Sequence, residues 1–137
     1  MSYLIDTNVL SELRRKAPDA RVVRWFSQRP VNTLYLSVLT LGEIRKGIEA
    51  LPDPARRLAL LDWLETELPA FFAGRVMPID LVVADRWGRM AGQAGRPLPA
   101  IDSLLAATAA AHGLILVTRN VRDVQGLGLR VVDPWTD

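Results

Sequence analysis

The chain has 137 residues, half of them hydrophobic and 23% charged, a balance that excludes a disordered polyampholyte. It contains no cysteine, which excludes disulfide frameworks, thiolate metal sites and cysteine nucleophiles. Seventeen basic against fifteen acidic residues leave a net charge of +2, a weak lean toward polyanionic partners.

In chain order, Tyr3–Ile5 reads as a short buried strand, followed by helices over Asn8–Arg15 and Ala20–Gln28. Thr33–Leu36 is the second strand, set off by Pro30-Val31-Asn32, and Val38–Ala50 is helical. Pro54 opens a further helix, with Leu58, Leu61, Leu64 and Leu68 at three- to four-residue spacing. That stretch, through Phe72, reads equally as core or as a groove for a partner helix. Val76–Pro78 is a third strand, Val82–Ala94 a helix, and Ile101–His112 an apolar helix that Gly113 ends. Leu114–Val117 and Arg130–Val132 are the last strands.

Short apolar strands alternating with helices predict one domain, residues 1–137: a three-layer α/β/α fold with a parallel sheet covered on both faces. Residues 1–5 carry no basic leader. The longest apolar stretch, Ile101–Val117, is interrupted by Asp102 and His112 and is too short to span a membrane. The expectation is a cytoplasmic protein with no membrane contact.

Sites in open parallel sheets lie beyond the carboxyl ends of the strands, so the polar residues following each strand matter most. Asp6 follows the first strand and Glu43 lies in the helix after the second. Asp102 opens the helix before the fourth strand, and Thr118, Asn120 and Asp123 follow that strand. Each acid also has a local structural reading. Asp6 or Asn8 suits an N-cap, Thr40-Leu41-Gly42-Glu43 matches a capping box, Asp102 suits a helix start, and Asp123 suits a turn.

Gathered on one edge, however, these carboxylates repel, and a proton, an arginine or a cation must neutralise them. A hard divalent ion such as Mg²⁺ or Mn²⁺ takes oxygen ligands of this kind, and such a site serves phosphodiester cleavage. Small basic groups at Arg14-Arg15-Lys16, Arg45-Lys46, Arg56-Arg57 and Arg86/Arg89 are solvated faces or, arranged around the site, phosphate contacts. His112 stands at a helix end. No phosphate-cradling glycine motif is present.

The ordered segments Leu4-Ile5-Asp6-Thr7-Asn8-Val9-Leu10-Ser11-Glu12, Gly42-Glu43-Ile44-Arg45-Lys46-Gly47, Ile101-Asp102-Ser103-Leu104-Leu105-Ala106-Ala107 and Val117-Thr118-Arg119-Asn120 resemble a PIN-domain ribonuclease. The resemblance is strongest to the VapC and FitB toxins of type II toxin–antitoxin pairs. It implies Mg²⁺- or Mn²⁺-dependent endoribonuclease activity, with Asp6, Glu43, Asp102 and Asp123 as the catalytic acids. Asp6 and Asp102, with Glu43, would hold the metal, and Thr7, Asn8, Thr118 and Asn120 would support them. Arg14, Arg45 and Arg119 are candidates for RNA phosphate contacts.

The resemblance further implies a homodimer and a VapB- or FitA-like antitoxin, with DNA bound only through the antitoxin complex. Asn120 departs from the pattern, which usually carries a fourth acid there. Asparagine offers an oxygen without charge, and Asp123 lies three residues on. That departure also suits an alternative, a PIN-fold binding or regulatory module without catalysis.

Overall fold

The computed structural model describes residues 1–136. Its elements are β1 (Tyr3–Ile5), α1 (Thr7–Leu13), α2 (Ala20–Ser27), β2 (Leu34–Ser37), α3 (Val38–Glu49), α4 (Pro54–Asp62), α5 (Leu68–Phe71), β3 (Val76–Met77), α6 (Leu81–Gln93), α7 (Ala100–His112), β4 (Ile115–Val117) and β5 (Val131–Val132). Val31–Thr33 and Val121–Val124 form 3-10 turns, and Trp63–Glu67 forms a π turn joining α4 to α5.

The five strands make one sheet in the order β3-β2-β1-β4-β5, and every neighbouring pair is parallel. The chain builds outward from β1 through β2 to β3, then returns to the other side of β1 for β4 and β5. The order therefore reverses between β1 and β4. This is the switch point at which an open parallel sheet leaves a crevice at its carboxyl edge.

Residues alternate between the two faces of the sheet. Tyr3, Ile5, Leu34, Leu36, Ile115 and Val117 pack with α1–α5 residues such as Val9, Val22, Trp25, Ile44, Ile48 and Phe72. Leu4, Leu114 and Leu116 point the other way, onto Leu105, Ala106 and Ala109 of α7 and Met90 of α6. The central strands are buried on both faces, which explains why they read as unbroken apolar runs. Each fully buried Leu, Ile or Val contributes roughly 1.5–3 kcal/mol to holding the layers together. The alanines of α7 let that helix approach the sheet closely.

The expected three-layer α/β fold and all five strands are observed, with strand boundaries moved by at most one residue and helix boundaries by at most two. Three local expectations change. Thr40 and Glu43 do not form a capping box. α3 begins at Val38, as expected and two residues ahead of such a box, with Ser37 Oγ accepting from Leu39 N at 3.0 Å. Strand β2 runs directly into the helix, so the cap falls on the last strand residue and Thr40 is already interior.

Asp102 is not a cap either: Pro99 stands at the N-cap of α7, which starts at Ala100 and leaves Asp102 in the first turn. Of the leucine stripe, Leu58 is 68% exposed while Leu64 and Leu68 are buried. The π turn between α4 and α5 precedes Pro69, whose nitrogen has no hydrogen to donate to the preceding turn. The wider turn accommodates that missing bond and shifts the helical phase.

Candidate active site

Asp6 is the residue at which β1 stops. Its backbone N–H still donates to Val117 O on β4 at 3.0 Å, while its extended backbone and carboxylate cap α1, Oδ1 accepting from Thr7 N at 2.7 Å. Capping and a second role are therefore compatible, because Oδ2 is held separately. Thr118 Oγ1, just past the end of β4, donates to Asp6 Oδ2 at 2.7 Å, and Asn8 Nδ2 lies 3.4 Å from the same oxygen.

Thr118 Oγ1 in turn accepts from Asn8 Nδ2 at 3.2 Å and from Asn120 N at 3.0 Å, and Asn8 Oδ1 accepts from Arg119 N at 3.4 Å. Thr7 Oγ1 reaches across to α3 and donates to Glu43 Oε1 at 2.6 Å. Thr7, Asn8 and Thr118 thus bind Asp6 and Glu43 into one network that spans α1, α3 and the end of β4. Asn120 participates through its backbone N–H, at the start of the Val121–Val124 turn that carries Asp123.

The electrostatics mark this edge as short of positive charge. Asp6 is 5% exposed, and burial pushes its carboxyl above the usual aspartate range. The Thr118 and Thr7 hydrogen bonds pull it back, and Glu43 raises it further. Half-buried Asp102 is pushed up to about 6, first by burial, then by the Asp6 charge, a hydrogen bond with Asp123, and the charges of Asp123 and Glu43. Among the described residues no ion pair involves Asp6, Glu43, Asp102 or Asp123; the pairs lie elsewhere.

Asp6, Glu43 and Asp123 therefore each lie within electrostatic reach of Asp102. As they stand, no three acidic or histidine side chains among the described residues group tightly enough to hold a metal ion. The donor chemistry nonetheless fits a hard divalent cation: the cluster is oxygen-only, half-buried to buried, mutually repelling and unpaired.

The arginines are placed differently. Arg119 lies at the site's rim, its guanidinium 4.8 Å over the ring of Trp135. Arg14 lies 5.2 Å over Trp63, and Arg45 pairs with Glu65 at 3.4 Å. His112 is an exposed last-turn residue of α7, followed by Gly113 at φ +64°, the left-handed cap. Trp25, Trp63 and Trp135 are buried, and Trp87 Nε1 donates to Ser103 Oγ at 2.9 Å.

One feature escaped the sequence: Glu12, 5% exposed, accepts from Asp19 N at 2.9 Å and from Arg15, and so ties the α1–α2 turn. Of the two readings of the leucine stretch, a groove of about 580 Å³ is present, lined by Leu10, Leu13, Arg14, Phe26, Trp63, Leu68 and Phe71. The leucine spacing alone did not separate this groove from core, because Trp63 and Leu68 serve both.

A family model described as the PIN domain matches residues 3–124. The VapC ribonuclease Y4jK of Sinorhizobium fredii is 38% identical over 135 residues, covering 96% of each chain. Toxin FitB of Neisseria gonorrhoeae is 35% identical over 137 residues, covering 98% of this chain and 99% of its own. The structure described as FitAB bound to an IR36 DNA fragment superposes with a TM-score of 0.90 at 33% identity, covering 97% of this chain and 95% of that one.

Proposed function

The chain belongs to the PIN domain family, and from that premise we propose that it is the toxin of a type II toxin–antitoxin pair, an endoribonuclease that hydrolyses RNA phosphodiesters at its acidic edge. The observation that carries this reading is the unpaired carboxylate cluster at the β1/β4 switch point, with Asp102 held up to about 6 by burial and by its acidic neighbours.

Asp6 and Asp102, with Glu43, are the residues that would hold a Mg²⁺ or Mn²⁺ ion. Such an ion, when bound, supplies Lewis-acid polarisation of the phosphate and a more acidic water. The chain's own residues supply position. Thr118 and the Thr7 N–H fix the two oxygens of Asp6, Thr7 Oγ1 fixes Glu43, and Asn8 braces Thr118. In hydrolysis a water oxygen bonds to phosphorus, the P–O bond to the leaving ribose oxygen breaks, and that oxygen takes up a proton. Asp123, whose charge helps raise Asp102, is the acid we assign to sharing a proton there. Arg119, exposed at the rim, is the arginine we assign to a phosphate.

The antitoxin is the partner we assign to the apolar groove. Phe71 is 38% exposed, and Arg14 offers a cation at the groove, which suits a segment carrying apolar anchors and an acid. DNA contact belongs to the antitoxin complex. Leu81, 84% exposed at the first residue of α6 and off the Arg86–Arg89 face, supports a homodimer. No helix among the described residues is long and apolar enough to cross a membrane, in keeping with a cytoplasmic site of action.

The test is incubation of a mixed pool of structured RNAs with the protein in Mg²⁺, Mn²⁺ or EDTA, beside Asp6→Asn checked by circular dichroism. Metal-dependent cutting that the folded variant lacks is expected. Equal cutting by the variant removes the assignment of Asp6. Absence of divalent-cation heat in calorimetry, together with no cutting, would favour the non-catalytic binding module.

A further inference from the structure

Arg86, Arg89 and Gln93 follow one another at helical spacing along α6, and they face a loop rather than solvent alone. With Met90 they line a cavity of about 520 Å³ whose opposite wall is Gly126-Leu127-Gly128. The wall is fixed in two ways. Arg96 Nη2 donates to Gln125 O at 2.9 Å, and Val124 and Leu127 pack into the cluster that contains Met90 and Leu105. Gly126 and Gly128 have φ of +79° and +78°, a backbone that side chains rarely adopt. Among the described residues the amides of Gly126, Leu127 and Gly128 donate to no backbone or side-chain acceptor.

This cavity adjoins the acidic edge. Gly126 is three residues from Asp123, at most about 11 Å along the chain, and Asp123 lies in the turn that follows Asn120, whose N–H is tied to Thr118 at the acidic edge. Its charge is opposite to that of the edge. Arg86 is exposed with no ion-pair partner among the described residues, and Arg89 pairs only with Asp85 of the next turn, at 3.1 Å between largely exposed side chains. A pair of that kind is screened and easily exchanged for another anion.

Two cations and free amides beside the apolar surfaces of Met90 and Leu127 suit a ligand that alternates phosphates with flat, weakly polar rings. We propose that this cavity is a subsite for single-stranded RNA flanking the scissile phosphate, with Arg86 and Arg89 each taking one backbone phosphate. The inference rests on the nuclease reading for its substrate and adds where that substrate is held. Repulsion from the acids orients the strand: the backbone is gripped at the arginines and only the reacting phosphate is brought over the carboxylates.

The test is fluorescence anisotropy of a labelled 20-nucleotide unstructured RNA, in EDTA, over a series of NaCl concentrations. Wild type, Arg86→Ala/Arg89→Ala and a control that loses two charges elsewhere, Arg24→Ala/Arg56→Ala, are compared after a circular dichroism check. Losing two single-strand phosphate contacts should lower the slope of log K against log salt by about 1.4, with affinity down roughly tenfold at low salt. The control should keep the wild-type slope.

An unchanged slope in the Arg86/Arg89 variant, an equal loss in the control, or no RNA binding by wild type overturns the subsite. Cleavage by wild type in Mg²⁺, run alongside, separates the two readings. Arginine-dependent binding without cleavage removes the nuclease and leaves the arginines as a single-stranded RNA site with no scissile phosphate beside it, whereas cleavage with arginine-independent binding removes the subsite alone.

Discussion

Thr118 Oγ1 donates to Asp6 Oδ2 at 2.7 Å across 112 positions of sequence, joining the carboxyl ends of β4 and β1 at the point where the sheet order reverses. The hydroxyl is 1% exposed by residue and also accepts from Asn8 and Asn120. Thr118→Val removes the donor and leaves Asp6, Asn8 and the Asn120 N–H short of a partner. It should destabilise the fold by about 1–3 kcal/mol in urea titration and lower cleavage, while Thr118→Ser recovers most of both. Equal losses in Val and Ser would show that the methyl packing matters and the hydroxyl does not.

Thr7 plays the same part for Glu43, Oγ1 to Oε1 at 2.6 Å, and it ties α1 to α3. Both residues are half-buried, so Thr7→Val should cost less stability than Thr118→Val, on the order of 1 kcal/mol. Its effect should appear in divalent-cation affinity measured by calorimetry. Unaltered affinity would remove Glu43 positioning as the role of Thr7.

Glu12 predicts an effect on stability alone. The Asp19 N–H, then Arg15, hold its carboxyl below the usual glutamate range, against the opposing push of burial. A depressed folded value means stability that is present above the unfolded glutamate range and lost as pH falls through the folded value. Glu12→Gln should therefore melt below wild type at pH 7, with the gap closing on acidification toward pH 3, and should cleave RNA normally once folded. A gap that widens at low pH would contradict the assignment.

The groove and the acidic edge should be separable by mutation. Phe71, stacked on Phe26 at 6.0 Å, lies on the groove, whose lining includes neither the acids Asp6, Glu43, Asp102 and Asp123 nor Thr7, Asn8 or Thr118. Phe71→Asp should retain cleavage and escape neutralisation when co-expressed with an antitoxin that silences wild type. Retained neutralisation would move the antitoxin off this groove.

How far the sequence carried these conclusions depended on the range of each signal. Asp6 was legible as the residue that ends an apolar strand, and Glu43 and Asp102 as acids in the helices that follow β2 and precede β4, which strand order brings toward one edge. Ser37 was hidden as the cap of α3 because the strand runs into the helix without a turn, leaving Thr40 as the more obvious candidate. Glu12 read as an ordinary helical surface residue, since its burial depends on where the α1–α2 turn folds back. Arg86 and Arg89 were visible as a basic pair, but the wall opposite them comes from forty residues later in the chain and has no pattern of its own.

The value near 6 for Asp102 gives a pH signature of two opposite signs. A folded value raised above the aspartate norm of 3.8 means that ionising Asp102 opposes folding. Without divalent cation, its contribution to stability is therefore fully favourable below about pH 4 and is lost as pH rises through 6. Asp102→Asn should stabilise the metal-free protein at pH 7 by about 1 kcal/mol, after allowing for solvent screening of a half-exposed group, and should change nothing at pH 4.

Cation binding runs the other way. It requires the ionised carboxylate, so the thermal stabilisation given by Mg²⁺ should be large at pH 7.5, fall through pH 6 and vanish near pH 5. In Asp102→Asn that stabilisation should be weak at every pH. A melting series at pH 4 to 8, with and without Mg²⁺, reads both effects. Mg²⁺ stabilisation independent of pH would mean that the ion is held away from Asp102.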